Sequence, residues 1–129
     1  MMKRTLMTTG LASTMALVAA AQTALATAMN NALLQKSKLT FGAPDFNRIQ
    51  EGDYLPALKE GIQQQREEIQ RIVNNKQRPT FANTVLAYEQ CGQTLDRVSS
   101  IFYALVGAHK TPVIAQTQQE ITPLLTDLQ

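Results

Sequence analysis

Three stretches of helical period, each opened by a helix-start signal, leave this chain little freedom of fold class. In the first, from about residue 54 to 75, Leu55, Leu58, Ile62, Ile69, Ile72 and Val73 recur at spacings of three, four and seven. That spacing places them on one face of an α-helix. Gln63, Gln64, Arg66, Glu67, Gln70 and Arg71 fill the other faces. Asp53 stands where an N-cap carboxylate accepts the free N–H groups of a first turn. Pro56 lies in that turn, where a missing N–H costs little. Asn74, Asn75 and then Pro79 close the stretch. The second stretch opens at Thr80, a cap behind Pro79, and carries Phe81, Val85, Tyr88, Leu95, Val98, Phe102 and Leu105. It predicts one helix to about Val106, ended by Gly107, with Gly92 inside it. A mid-helix glycine costs about 1 kcal/mol relative to alanine, and close packing against a neighbouring helix is one reason to retain it. The third begins at Thr111 and Pro112 and continues through Ile114, Thr117, Ile121, Leu124, Leu125 and Leu128. Pro123 predicts a kink or a fresh turn there. The reading is all-α: antiparallel helical hairpins, about three helices joined by short links. Three such stripes cover one another only in part, so apolar surface is expected to remain.

The first thirty residues have a different character. Met1, Met2, Lys3 and Arg4 form a short basic region, and Leu6 to Ala21 is apolar and uncharged. Ala24, Leu25 and Ala26, like Ala26, Thr27 and Ala28, fit the small-x-small cleavage rule, which predicts an export signal cut after residue 26 or 28. The apolar run is shorter than the ~20 residues of a spanning helix. The predicted organisation is a signal peptide over residues 1–26, an extended lead-in over 27–52 and a helical segment over 53–129, in a periplasmic or otherwise exported protein. Leu33, Leu34, Leu39, Phe41, Phe46 and Ile49 of the lead-in lack a long helical period and read as anchors that strap it to a larger body. Cleavage removes Lys3 and Arg4 and leaves ten basic and ten acidic residues. A chain so balanced has no footprint for nucleic acid and no polybasic patch to hold it on a membrane. About a hundred residues suffice for one small domain and are few for an elaborate enzyme.

Side chains that carry chemistry are sparse. The one cysteine, Cys91, has no internal partner and reads as a small buried residue on a helix. The one histidine, His109, follows a helix end, where it meets solvent or helix carbonyls. A zinc site needs three or four protein ligands, so His109 alone does not build one. Glu67 and Glu68 are adjacent and point about 100° apart on a helix, which suits a solvated face with Arg71 as the i,i+4 partner of Glu67. Asp96 and Arg97 read the same way, and Tyr103 is either a half-buried core ring or part of a channel lining. A haem bundle would have to rely on His109 and Met29, the one methionine beyond the leader. No catalytic, cofactor-binding or metal-binding residue is assigned.

Several short elements, taken in order, resemble the amino-terminal region of bacterial peptidyl-dipeptidases of the thimet-oligopeptidase-like zinc metallopeptidase family. They are Asn31, Ala32, Leu33 and Leu34; residues 41–46, Phe-Gly-Ala-Pro-Asp-Phe; and residues 49–57, Ile-Gln-Glu-Gly-Asp-Tyr-Leu-Pro-Ala. Residues 78–85 follow, similar to the family's Pro-Thr-Phe-x-Asn-Thr element, then Leu95, Asp96, Arg97 and Val98, and Phe102, Tyr103, Ala104 and Leu105. The resemblance implies a much longer helical enzyme whose amino-terminal helices form one wall of a channel for short peptides. It implies zinc and a glutamate base supplied by an H-E-x-x-H helix, and release of dipeptides from peptide carboxyl ends. Residues 109–113, His-Lys-Thr-Pro-Val, do not match that motif, so no ligand carries over. The expectation is an amino-terminal fragment, truncated before the catalytic domain, holding no cofactor and inactive alone, with the missing catalytic portion as a partner. The alternative expectation is a small exported binding module that holds a peptide or partner helix in its leftover apolar groove.

Overall fold

The computed structural model describes residues 30–128, and the predicted export leader with its predicted cleavage site lies outside the described residues. Among the described residues every regular element is helical. Helix α1 spans Tyr54–Val73; a π-helical stretch, Phe81–Leu86, passes into a short turn of helix, α2, at Ala87–Glu89; α3 spans Gln93–Ala108 and α4 spans Pro112–Thr126. Single 3₁₀ turns occupy Thr40–Gly42 and Glu51–Asp53 in the otherwise irregular segment before α1.

Helix α1 packs along α3 and against α4. Its buried residues are Tyr54, Ala57, Leu58, Gly61 and Ile62, one stripe over the first half of the helix. Opposite them lie Leu95, Val98 and Phe102 of α3 and Ile114, Thr117 and Ile121 of α4. Gly61 makes the α1–α3 crossing possible: a Cβ there would stand 2.9 Å from the Cα of Leu95 and 3.2 Å from its Cβ. The lead-in is tied to this core at several points. Leu33 is buried in it, and the buried Asn31 donates from Nδ2 to the Asp53 carbonyl at 2.8 Å while its Oδ1 accepts from the Leu33 N–H at 2.9 Å. Replacing Asn31 by an apolar residue would leave two backbone groups without their partner, each a cost of about 1–3 kcal/mol where the group stays dry.

Local chemistry departs from the sequence reading in three places. Asp53 does not cap α1 directly. The helix is preceded by the 3₁₀ turn, and the Asp53 carboxylate reaches back to accept from the Gln50 N–H at 2.8 Å. The long second helix is not continuous. Gly92 takes φ +77°, a left-handed value that breaks the chain into two helical pieces and that only glycine adopts without cost. Its N–H donates to the Glu68 carboxylate of α1 at 2.7 Å, and its α-carbon faces Gln65, so this glycine serves a turn against α1. Glu68, not Glu67, is the carboxylate near Arg71, at 4.0 Å; Glu67 accepts from Gln63 at 2.7 Å instead. Helix α4 holds Pro123 within it and continues to Thr126, with Thr122 and Thr126 hydroxyls donating to the carbonyls of Gln118 and Thr122. The predicted caps at Thr80 and Thr111 do form: their hydroxyls accept from the N–H groups of Asn83 at 3.2 Å and Ile114 at 3.3 Å.

Candidate functional surfaces

The second apolar stripe divides at Gly92. On the α3 side Leu95, Val98 and Phe102 are buried, whereas on the other side Phe81, Val85 and Tyr88 are 72, 46 and 59% exposed. Their spacing of four and three puts them on one helical face. Val73, at the end of α1, is also exposed. These residues have the periodicity of a core stripe and no core over them, which marks a contact surface more strongly than scattered single apolar residues do.

Beside this stripe lies an open groove of about 640 Å³, lined by residues that include Gln65 of α1, Tyr88 of α2, Leu95 and Tyr103 of α3, and Leu125 of α4. Tyr103 stands at the groove as a half-exposed ring, its plane edge-on to Phe102 at 5.3 Å between centroids. The groove is lined mostly by polar groups, among them Gln65, Asp96, Ser99, Thr122 and Thr126, with Leu125 and Leu128 supplying apolar contact.

The remaining candidates do not converge. His109 is exposed beyond α3, its backbone N–H closing the helix on the Leu105 carbonyl at 2.7 Å. Cys91 is half-buried, and its thiol donates to the Ala87 carbonyl at 3.3 Å. Burial raises the Cys91 pKa, the Glu68 charge adds to the effect and Arg71 opposes it. A thiol held in its neutral form is a poor nucleophile at neutral pH. Among the described residues no group of three or more His, Cys, Asp and Glu side chains is placed to hold a metal ion, and no helix is long and apolar enough to cross a membrane. Arg97 corrects the sequence reading. It is not on a solvated face: its Nη2 donates across 64 residues of chain to the Leu33 carbonyl at 3.2 Å and, at 3.5 Å, to that of Leu34. The folding of the lead-in over α3 hides a charge that periodicity alone places outside.

No protein-family model matches the chain. Two curated proteins do. A dipeptidyl carboxypeptidase of Salmonella typhimurium is 42% identical over 98 residues, which is 76% of this chain and 14% of that protein. A dipeptidyl carboxypeptidase of Escherichia coli is 42% identical over 102 residues, 79% of this chain and 15% of that protein. The chain is similar to bacterial dipeptidyl carboxypeptidases. It spans about a seventh of the length of these relatives. The element that resembles the dipeptidyl-carboxypeptidase type most compactly, residues 79–84, now has a structural meaning. Thr80 and Asn83 cap each other reciprocally, with the Thr80 N–H donating to Asn83 Oδ1 at 2.8 Å, and Asn83 Nδ2 reaches the Arg78 carbonyl at 3.0 Å. The motif therefore builds a reciprocally capped helix start with Phe81 exposed.

Proposed function

We propose that this chain is the helical amino-terminal segment of an exported zinc peptidyl-dipeptidase, which in complete form releases dipeptides from the carboxyl ends of short peptides. The observation that carries the reading is the 42% identity to two dipeptidyl carboxypeptidases over three-quarters of the chain. In this reading the stripe of Phe81, Val85 and Tyr88 and the adjoining groove are the contact surface for the rest of the polypeptide, and the helices wall one side of a peptide channel. The described residues do not fit a zinc site, since a zinc centre needs three or four ligands and no three His, Cys, Asp or Glu side chains among them converge. Metal and general base would belong to residues outside this sequence.

A chimera tests the reading. Residues 31–128 are exchanged for the matching segment of the Escherichia coli enzyme. The expected product is a folded enzyme that still releases dipeptides, at a rate within about tenfold of the parent, a span of about 1.4 kcal/mol in barrier. The further change of Phe81 and Tyr88 to serine should abolish assembly of that chimera. A folded but inactive chimera, or one indifferent to the serine changes, would favour the independent binding module. Export follows from the leader and carries its own expectation: envelope material should begin at Thr27 or Met29 by mass spectrometry. An intact Met1 in that fraction would contradict it.

A further inference from the structure

A second site lies in the lead-in, on chemistry that the peptidase reading does not use. Between residues 32–49 and α3 is a cavity of about 170 Å³. Four cationic side chains line it, Lys36, Lys38, Arg48 and Arg97, against a single carboxylate, Asp45. Beyond residue 28 the chain has ten basic and ten acidic residues, so two-fifths of its positive charge borders one small space in an otherwise balanced molecule. Among the described residues none of these four cations has a carboxylate within ion-pair distance; the ion pairs formed are Lys59 with Glu120 and Arg71 with Glu68. Arg97 is anchored through Nη2 to the carbonyls of Leu33 and Leu34, and its buried Nε has no hydrogen-bond partner. A half-buried guanidinium whose hydrogen bonds go to neutral carbonyls lacks a counterion, and that costs free energy unless an anion approaches.

The walls of the cavity are not wholly polar. Leu33, Ile49 and Ile101 contribute apolar surface beside the cations. The rim is a closed loop: the Ser37 hydroxyl donates to the Ala43 carbonyl at 2.6 Å, and Phe41 is held at φ +60° with its ring turned to solvent. The space is well above the ~10–15 Å³ that one water needs. A lining that mixes basic residues with aliphatic ones matches a carboxylate on a short apolar stem better than a bare inorganic ion, which would leave the aliphatic surface unused.

We infer that this cavity binds small organic carboxylates, with Lys36, Lys38, Arg48 and Arg97 holding the charge and Leu33, Ile49 and Ile101 holding the stem. The test is a titration of the 129-residue chain with butyrate at low ionic strength, followed by amide nuclear magnetic resonance. Saturable shifts should cluster at residues 33–49 and 97–101. Butyramide, the uncharged counterpart, should bind at least about tenfold more weakly, as a charge-assisted contact is lost. Arg48→Gln and Lys36→Gln are exposed changes that remove no contact the fold uses, and each should weaken butyrate about fivefold or more. High salt should weaken binding as well. Equal binding of butyrate and butyramide, shifts scattered over the surface, or full affinity in both variants would overturn the inference. Tighter binding of inorganic phosphate than of butyrate would overturn the assignment to carboxylates. Because the readout is binding and not peptide cleavage, an inactive chimera in the preceding experiment leaves this result standing.

Discussion

Phe102→Ala should unfold this domain or bring it to the edge of unfolding. The ring is fully buried, tilted against Tyr54 at 5.6 Å and edge-on to Tyr103 at 5.3 Å, and it sits where α1, α3 and α4 meet. Truncating a buried phenylalanine costs about 3–5 kcal/mol, the sum of lost transfer energy and a residual cavity. Domains of this size are stable by only about 5–15 kcal/mol. Here the buried apolar set comes to ten residues among those described, and the stripe at Phe81, Val85 and Tyr88 adds nothing to it, which argues for the low end. Each kcal/mol corresponds to about 4–8 °C in a domain of this size. Thermal and urea denaturation followed by far-ultraviolet dichroism would show a fall in midpoint of more than about 12 °C. Phe102→Leu, which keeps most of the volume, should retain most of the stability. A loss under about 1 kcal/mol for the alanine variant would mean that the helices do not pack around this ring as described.

Gly61→Val should be nearly as damaging, for the opposite reason. An alanine Cβ would already lie 2.9 Å from the Leu95 Cα, and backbone on both sides is helical, so neither atom gives way cheaply. Replacing glycine by alanine inside a helix ordinarily gains about 1 kcal/mol. Against that stands an overpacking cost of about 1–3 kcal/mol, and the branched valine adds two more methyl groups to the same gap. The expected order of stability is glycine, then alanine, then valine, measured as urea midpoints. Leu95→Ala should not rescue Gly61→Ala, because the closest atom is the Leu95 Cα and not its side chain. An alanine variant as stable as the parent would show that α1 and α3 are farther apart than this crossing requires.

The contrast between Gly61 and Gly92 shows where sequence reading stops. Both lie in helical stretches of the sequence, and period alone does not tell their roles apart. One is a contact between two helices and the other a left-handed break. The difference depends on which backbone lies opposite, a fact of partners far apart in the chain. The same holds for Arg97, whose place next to Asp96 on an amphipathic helix says nothing of the lead-in carbonyls that capture it. Tyr54 carries a related effect. Its burial, then the charges of Asp53 and Glu51, raise its pKa, and the ionised phenol is therefore disfavoured in the folded state. The stability this group contributes is kept below the ordinary tyrosine range near pH 10 and is lost as alkaline pH ionises the unfolded chain first.

By itself the sequence determined the all-helical class, the position of the first and last long helices and the caps at Thr80 and Thr111, because these rest on contacts within about four residues. It also carried the likeness to dipeptidyl carboxypeptidases, which is a property of residue order. Tertiary structure alone decided which half of the second stripe is buried, where α1 and α3 touch and which cations surround the lead-in cavity. A periodic apolar stripe states that a helix has a face to cover. It does not state what covers it, since burial is a property of two surfaces and the chain sequence writes only one of them at each place. For Leu95, Val98 and Phe102 the second surface is α1 and α4. For Phe81, Val85 and Tyr88 the described residues supply little cover, so the same pattern that packs a core in one half of the stripe presents an open face in the other.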